Sequence, residues 1–185
     1  MAIRTLVVND TLVLEPLHVE DADELHAVID ANRTHLREWL TWVDAHDSVR
    51  VSRAFVARTR RQYRDESGLT FGLRQRGALV GIVGFNELDP ENHSGEIGYW
   101  LASDSSGQGL MTAACVRLVR HGFESLELHR IVLQIATGNL RSTAIAERLG
   151  CTMEGVQREA QLLNGKWVDL AVWALLQSEW NERSG

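Results

Sequence analysis

The stretch Asp104-Ser105-Ser106-Gly107-Gln108-Gly109-Leu110-Met111-Thr112 places two glycines between a strand-like run and an apolar helical pattern. Glycine lets the backbone bend closely, and a helix N-terminus turns several N–H groups and a partial positive charge toward one guest. A pyrophosphate is the natural ligand for such a turn; a plain strand-to-helix turn would use the same glycines for geometry alone. No Gly-Lys-Ser/Thr follows, which excludes a Walker A loop, and a third glycine in GxGxxG register is missing, which argues against a dinucleotide fingerprint. The histidines show no HxxxH or Cys/His ligand spacing, so no metal site is expected. Cys115 and Cys151 lie far apart and read as free, buried thiols of a reducing, cytoplasmic compartment.

These residues need elements to position them. Thr11–Leu17 alternates like a strand, with Pro16 suggesting a sheet edge. A helix starting at Glu20-Asp21-Ala22-Asp23, a short one holding Leu36, Trp39 and Leu40, and a third over about 48–64 follow. Strands at Leu69–Gln75 and Ala78–Leu88 are joined across Arg76-Gly77, and Ser94–Leu101 reads as the next strand. The glycine turn opens a helix to about Gly122, Arg130–Ala136 is a buried strand, and Asn139 could cap a helix ending at Gly150. Asn164-Gly165 joins Thr152–Leu163 to Lys166–Leu176, a strong hairpin signal. The sum is a mixed α/β chain with one domain over residues 1–185.

Composition narrows the function classes. The 185 residues are 44% hydrophobic and 24% charged, an ordinary globular balance that needs no disulfide or metal staple. A net charge of −6 argues against nucleic acid as a partner, and the Arg58, Arg60, Arg61 and Arg64 cluster reads as a solvated helix face. Neither a membrane span nor a secretory signal is visible.

Gly95-Glu-Ile-Gly-Tyr-Trp-Leu101, Gly107-Gln-Gly-Leu-Met-Thr112, Leu128-His-Arg130, Gly138-Asn-Leu-Arg-Ser142, Glu154-Gly155 and Asn164-Gly165, in this order, resemble the GNAT family of acyl-CoA-dependent N-acetyltransferases. Within it the chain is most similar to the branch that acetylates the N-termini of ribosomal proteins. The resemblance implies a mostly antiparallel, twisted central sheet with a splayed central strand pair and flanking helices. It implies acetyl-CoA as co-substrate, its pantetheine arm on the open main-chain edge of Ile97, Gly98, Tyr99 and Trp100, where N–H groups would also face the thioester oxygen. Gly107, Gln108, Gly109, Leu110, Met111 and Thr112 would take the pyrophosphate. Asp104 stands where the family has Gln or Arg, so main chain must do most of that work. Asn139 would bond the pantetheine arm and Ser142 would protonate the departing thiolate; both also fit plain helix-start roles.

An attacking amine must lose a proton, which calls for a base. At the strand position where relatives carry a glutamate this chain has Gln161, which cannot accept one. Glu159, two residues earlier and on the same face of a regular strand, is one candidate, and Glu96 is the other; each also reads as a surface charge. Trp39 and Trp42, three apart on the expected short helix, either wall the acceptor cleft or fill core. The acceptor is expected to be a ribosomal-protein N-terminus or, alternatively, a small amine, with a non-catalytic acyl-CoA sensor as the third reading. A homodimer is expected by resemblance only.

Overall fold

A computed structural model describes residues 4–184. The chain forms β1 (Leu6–Asn9), β2 (Leu12–Pro16), a short 3-10 turn at Val19–Asp21, α1 (Ala22–Ala31), α2 (Arg33–Arg37) and α3 (Val49–Arg64). Next come β3 (Leu69–Gln75), β4 (Ala78–Asp89), β5 (Ser94–Leu101), a 3-10 turn at Ser103–Ser105 and α4 (Leu110–Ser125). The remainder is β6 (Arg130–Ala136), α5 (Leu140–Leu149), β7 (Thr152–Leu163), β8 (Lys166–Leu176) and α6 (Gln177–Ser184).

The strands form one eight-stranded sheet in the order β1-β2-β3-β4-β5-β6-β8-β7. Every neighbouring pair is antiparallel except β5 and β6, which run parallel and pair only over Ser94–Glu96 against Arg130–Val132. Beyond Glu96 the two strands part, leaving main-chain hydrogen-bonding groups of β5 facing a gap in mid-sheet. This is the splay expected of the fold.

Alternation along β5 sends its side chains to different layers. Ile97 joins the core under α4, where Met111, Ala114, Cys115, Leu118, Val119 and Phe123 form the buried stripe. Gly122 lets that helix close on the sheet, because a Cβ there would stand 2.8 Å from the Phe85 ring. Trp100 faces the other way, into a second core with Leu17, Leu25, Ile29, Leu36, Val56 and Ile82. Arg74 staples this second layer to the sheet. Its side chain, only 12% exposed, pairs with Glu15 at 2.9 Å, Asp21 at 2.6 Å and Glu24 at 2.8 Å.

Several expectations change. β2 is not an edge strand, because β1, unforeseen, pairs with Leu12–Leu14; Pro16 lies beyond the reach of β1, where its missing N–H costs nothing. The acidic start at Glu20 makes a 3-10 turn before α1 begins at Ala22. The second helix stops at Arg37, so Trp39 and Trp42 sit in the turns that follow it. β7 is irregular: Gln157 pairs with Leu170 and Gln161 with Val168, so two extra residues bulge between them. Both predicted hairpins form, with positive φ at Arg76 and Gly77 and at Asn164 and Gly165, the geometry of a type I′ turn.

Candidate active site

The splay is the mouth of a cleft of about 1950 Å³ that reaches both faces of the sheet. On one face its walls are Tyr99 and the start of α4 and α5; on the other they are Trp42, Phe55, Arg58 and Trp100. Glu96, Ile97, Gly98, Gly107, Gly109, Leu110, Met111, Thr112, Asn139, Ser142, Trp39 and Gln161 line it as well. Residues scattered over more than a hundred positions in sequence thus meet around one gap.

At the glycine turn, Gly107 and Gly109 have φ of +77° and +75°, and an added Cβ would find open space at either. These glycines are there for conformation, and they leave the N–H groups that open α4 bare toward the cleft. Asp104 is outside the lining, its carboxylate accepting from the Ser103 hydroxyl at 3.4 Å. Gln108 is outside too, its amide folded back to donate to the Asp104 carbonyl at 3.0 Å. A second helix start faces the cleft from across the gap. Asn139 caps α5 by accepting from the Ser142 N–H at 3.2 Å, and Ser142 itself lines the cleft.

Tyr99 adds an unforeseen group. Its hydroxyl is buried without a hydrogen-bond partner of good geometry. Burial pushes the phenol well above its ordinary value, and nearby Cys115 adds to this, while the adjacent Ser142 hydroxyl pulls weakly the other way. The phenol therefore keeps its proton at neutral pH, a hydrogen-bond donor beside Ser142. Burial also drives the thiols up, Cys151 to about 12, so neither cysteine is a thiolate nucleophile at neutral pH.

The two carboxylate candidates part company. Glu96 lies in the cleft, half-buried, and accepts from Gln134 Nε2 at 2.6 Å across the gap. Glu159 is exposed and outside the lining; it sits in the β7 bulge at φ +49°, with its N–H bound to Asp169 at 2.8 Å. A shared face with Gln161 required a regular strand, and the bulge removes it.

The tryptophan side of the cleft is held from below. Arg33 donates to the carbonyls of Val43 at 2.8 Å and His46 at 2.7 Å, clamping the turn that carries Trp42. Trp42 packs on Trp100, centroids 6.4 Å apart, and on His46 at 5.6 Å. Trp39 instead spans the cleft, reaching within 3.5 Å of where a Gly138 Cβ would be. Asn164, at the tip of the β7–β8 hairpin, donates to the Arg37 carbonyl at 2.8 Å and ties the far rim down.

A family model described as the acetyltransferase (GNAT) domain matches residues 11–152. The chain belongs to the GNAT acetyltransferase family. Among curated relatives, the "Putative ribosomal N-acetyltransferase YdaF" of Bacillus subtilis (strain 168) is 37% identical over 95% of this chain and 97% of its own length. Among solved structures, the RimL ribosomal L7/L12 α-N-protein acetyltransferase in complex with coenzyme A superposes with a TM-score of 0.92 at 26% identity, covering 95% of this chain and 99% of the other. The microcin C7 self-immunity acetyltransferase MccE, in complex with acetyl-CoA and AMP, gives 0.88 at 28% identity, covering 91% and 94%. As a GNAT acetyltransferase, the chain carries the family's glycine turn and splay in a cleft that also holds Asn86, Gln134 and Tyr99. Asn86 and Gln134 belong to no motif of the sequence. Their only signals were a glycine at position 98 and a polar side chain within the apolar β6 run.

Proposed function

We propose that this GNAT acetyltransferase transfers the acetyl group of acetyl-CoA to the N-terminal α-amine of a protein, with a ribosomal protein as acceptor. The observation that carries the reading is the cleft running through the splay. A donor thioester entering from the α4 side and an amine from the tryptophan side would meet at the open edge of β5. The volume of about 1950 Å³ exceeds the roughly 300–1,000 Å³ of common small-molecule pockets, which leaves room for a peptide beside the cofactor.

In this reading the main chain of Gly107–Met111 holds the pyrophosphate, and Asn139 with the β5 edge holds the pantetheine arm. The neutral amine attacks the thioester carbon, and N–H groups near Gly98–Trp100 face the developing oxyanion. The C–S bond breaks, and Ser142 gives its proton to the sulfur while taking one from water. Glu96 takes the proton that the amine loses, directly or through one water. Trp39, Trp42 and Gln161 wall the acceptor path. The free, buried thiols fit a cytoplasmic setting. Leu162 and Trp167, 50% and 61% exposed on the outer hairpin, fit contact with a second copy of the chain.

A small amine is the second reading, favoured by the fold match to MccE and by Arg58, which lines the cleft with only the Phe55 ring as partner among the described residues. The test is thiol release from acetyl-CoA with a peptide carrying the L7/L12 N-terminus, against an aminoacyl-nucleotide and a polyamine. Saturable turnover confined to the peptide supports the proposal. Turnover confined to either small amine replaces it, and no release with any amine points to a sensor.

A further inference from the structure

β4 and β5 fall out of step at one point. Phe85 pairs with Ile97 and Glu87 with Glu96, so Asn86 is an extra residue in β4, a bulge of the kind that re-aims a side chain. The bulge is held from outside: the Asn86 carbonyl accepts from Gln62 of α3 at 3.3 Å, and the Leu88 N–H donates to the Ser67 carbonyl at 3.0 Å. Its side chain is thrown across β5. A Cβ added at Gly98 would lie 2.1 Å from Asn86 Nδ2 and 2.6 Å from both its Cγ and its Oδ1.

Gly98 is outside the left-handed region, so its backbone makes no demand for glycine. The demand is for space, and the Asn86 carboxamide fills it. That carboxamide has no hydrogen-bond partner among the described residues and lines the cleft. Gly98 and Glu96 are two apart on β5, hence on one face about 7 Å apart along the strand. It is the face toward Trp42 and Trp100, from which the acceptor would come.

We infer that Asn86, seated on Gly98, is an acceptor-binding residue: its Oδ1 accepts one N–H of the incoming neutral amine and turns the nitrogen lone pair toward the thioester. A primary amine has two N–H groups, so one can bond Asn86 while the other points toward Glu96. The inference rests on the proposed amine transfer and on β5 as its donor edge. It does not depend on whether the amine belongs to a peptide or a small molecule.

The test is a cycle of Asn86→Ala, Gly98→Ala and the double variant. Each is measured for melting temperature, acetyl-CoA affinity, and kcat and KM for the amine that the wild type uses. Asn86→Ala should raise the amine KM at least tenfold with acetyl-CoA affinity within twofold. Gly98→Ala should weaken amine use with little change in melting temperature, because the new methyl displaces an exposed, unbonded carboxamide and meets no main chain. In the double variant the melting temperature should again stay near that of the wild type while the amine KM stays high. An amine KM unchanged in Asn86→Ala overturns the inference, as does full kinetic recovery in the double variant. If the wild type uses only a small amine, the peptide reading fails and the cycle is run on that amine.

Discussion

Gly109→Ala separates the two things a glycine can do in a ligand-binding turn. At φ +75° an L residue costs about 1–2 kcal/mol, and since nothing stands within 4 Å of the new methyl, that backbone cost is the whole penalty. For a chain of this length each kcal/mol moves the melting temperature by roughly 2–4 °C, so a drop of about 2–8 °C is expected. Gly77, at φ +86° in the β3–β4 turn and also without neighbours within 4 Å, is the matched control. Gly77→Ala should cost the same stability and leave acetyl-CoA binding unchanged. Gly109→Ala should also turn the opening N–H groups of α4 off target. Losing one bond to a charged oxygen is worth about 1.5–3 kcal/mol, or a rise in Kd of roughly 10- to 150-fold. Calorimetric titration of acetyl-CoA into both variants reads this directly. A Kd within twofold of wild type in Gly109→Ala, at a melting temperature matching that of Gly77→Ala, would refute the placing of the pyrophosphate at this turn.

Ser142→Ala should lower kcat about a hundredfold or more with acetyl-CoA KM little changed, since the Asn139 cap bonds main chain and survives; an unaltered kcat removes Ser142 as the acid. Glu96→Gln should abolish the acidic limb of the pH–rate profile while Glu159→Gln leaves it intact, and the opposite pattern would return the base to the β7 bulge. His46 is held below its ordinary value, first by burial and then by His26 and Arg33, with Asp47 opposing. As pH falls through about 6.5 the unfolded chain therefore takes up this proton before the folded one. Stability present in full above that pH should decline toward the lower folded value, and His46→Gln should flatten the slope in melting scans from pH 7 to 5. His121, shifted the same way by burial, keeps part of it.

Local signals were the legible ones. Arg76-Gly77 and Asn164-Gly165 read as hairpins because two successive positive φ angles suit few residue pairs, and the bounds of β7 and β8 followed from the second. The glycine turn and the Asn139 cap were legible because each position suits few residue types: glycine at positive φ, and a short side-chain acceptor before a helix. β1 was missed because four residues alternate too briefly to stand out. The β7 bulge was invisible because that strand is exposed almost throughout, so no burial pattern records the slip that strands Glu159 outside the cleft. Asn86 was missed because its meaning lies in Gly98, twelve residues on; a glycine in a strand says that something comes close and not what.

The three residue pairs that join β5 to β6 hold together a sheet open in its middle. In the proposed reaction the donor and the acceptor approach that opening from opposite sides, and neither blocks the other's exit. A compound that links coenzyme A to an acceptor fragment through a short bridge could therefore thread the sheet like a bolt through a plate. Its cofactor half would grip features common to the family, while the acceptor half would meet Asn86, Trp39 and Gln161. Inhibitors selective for this chain should be built on that second half.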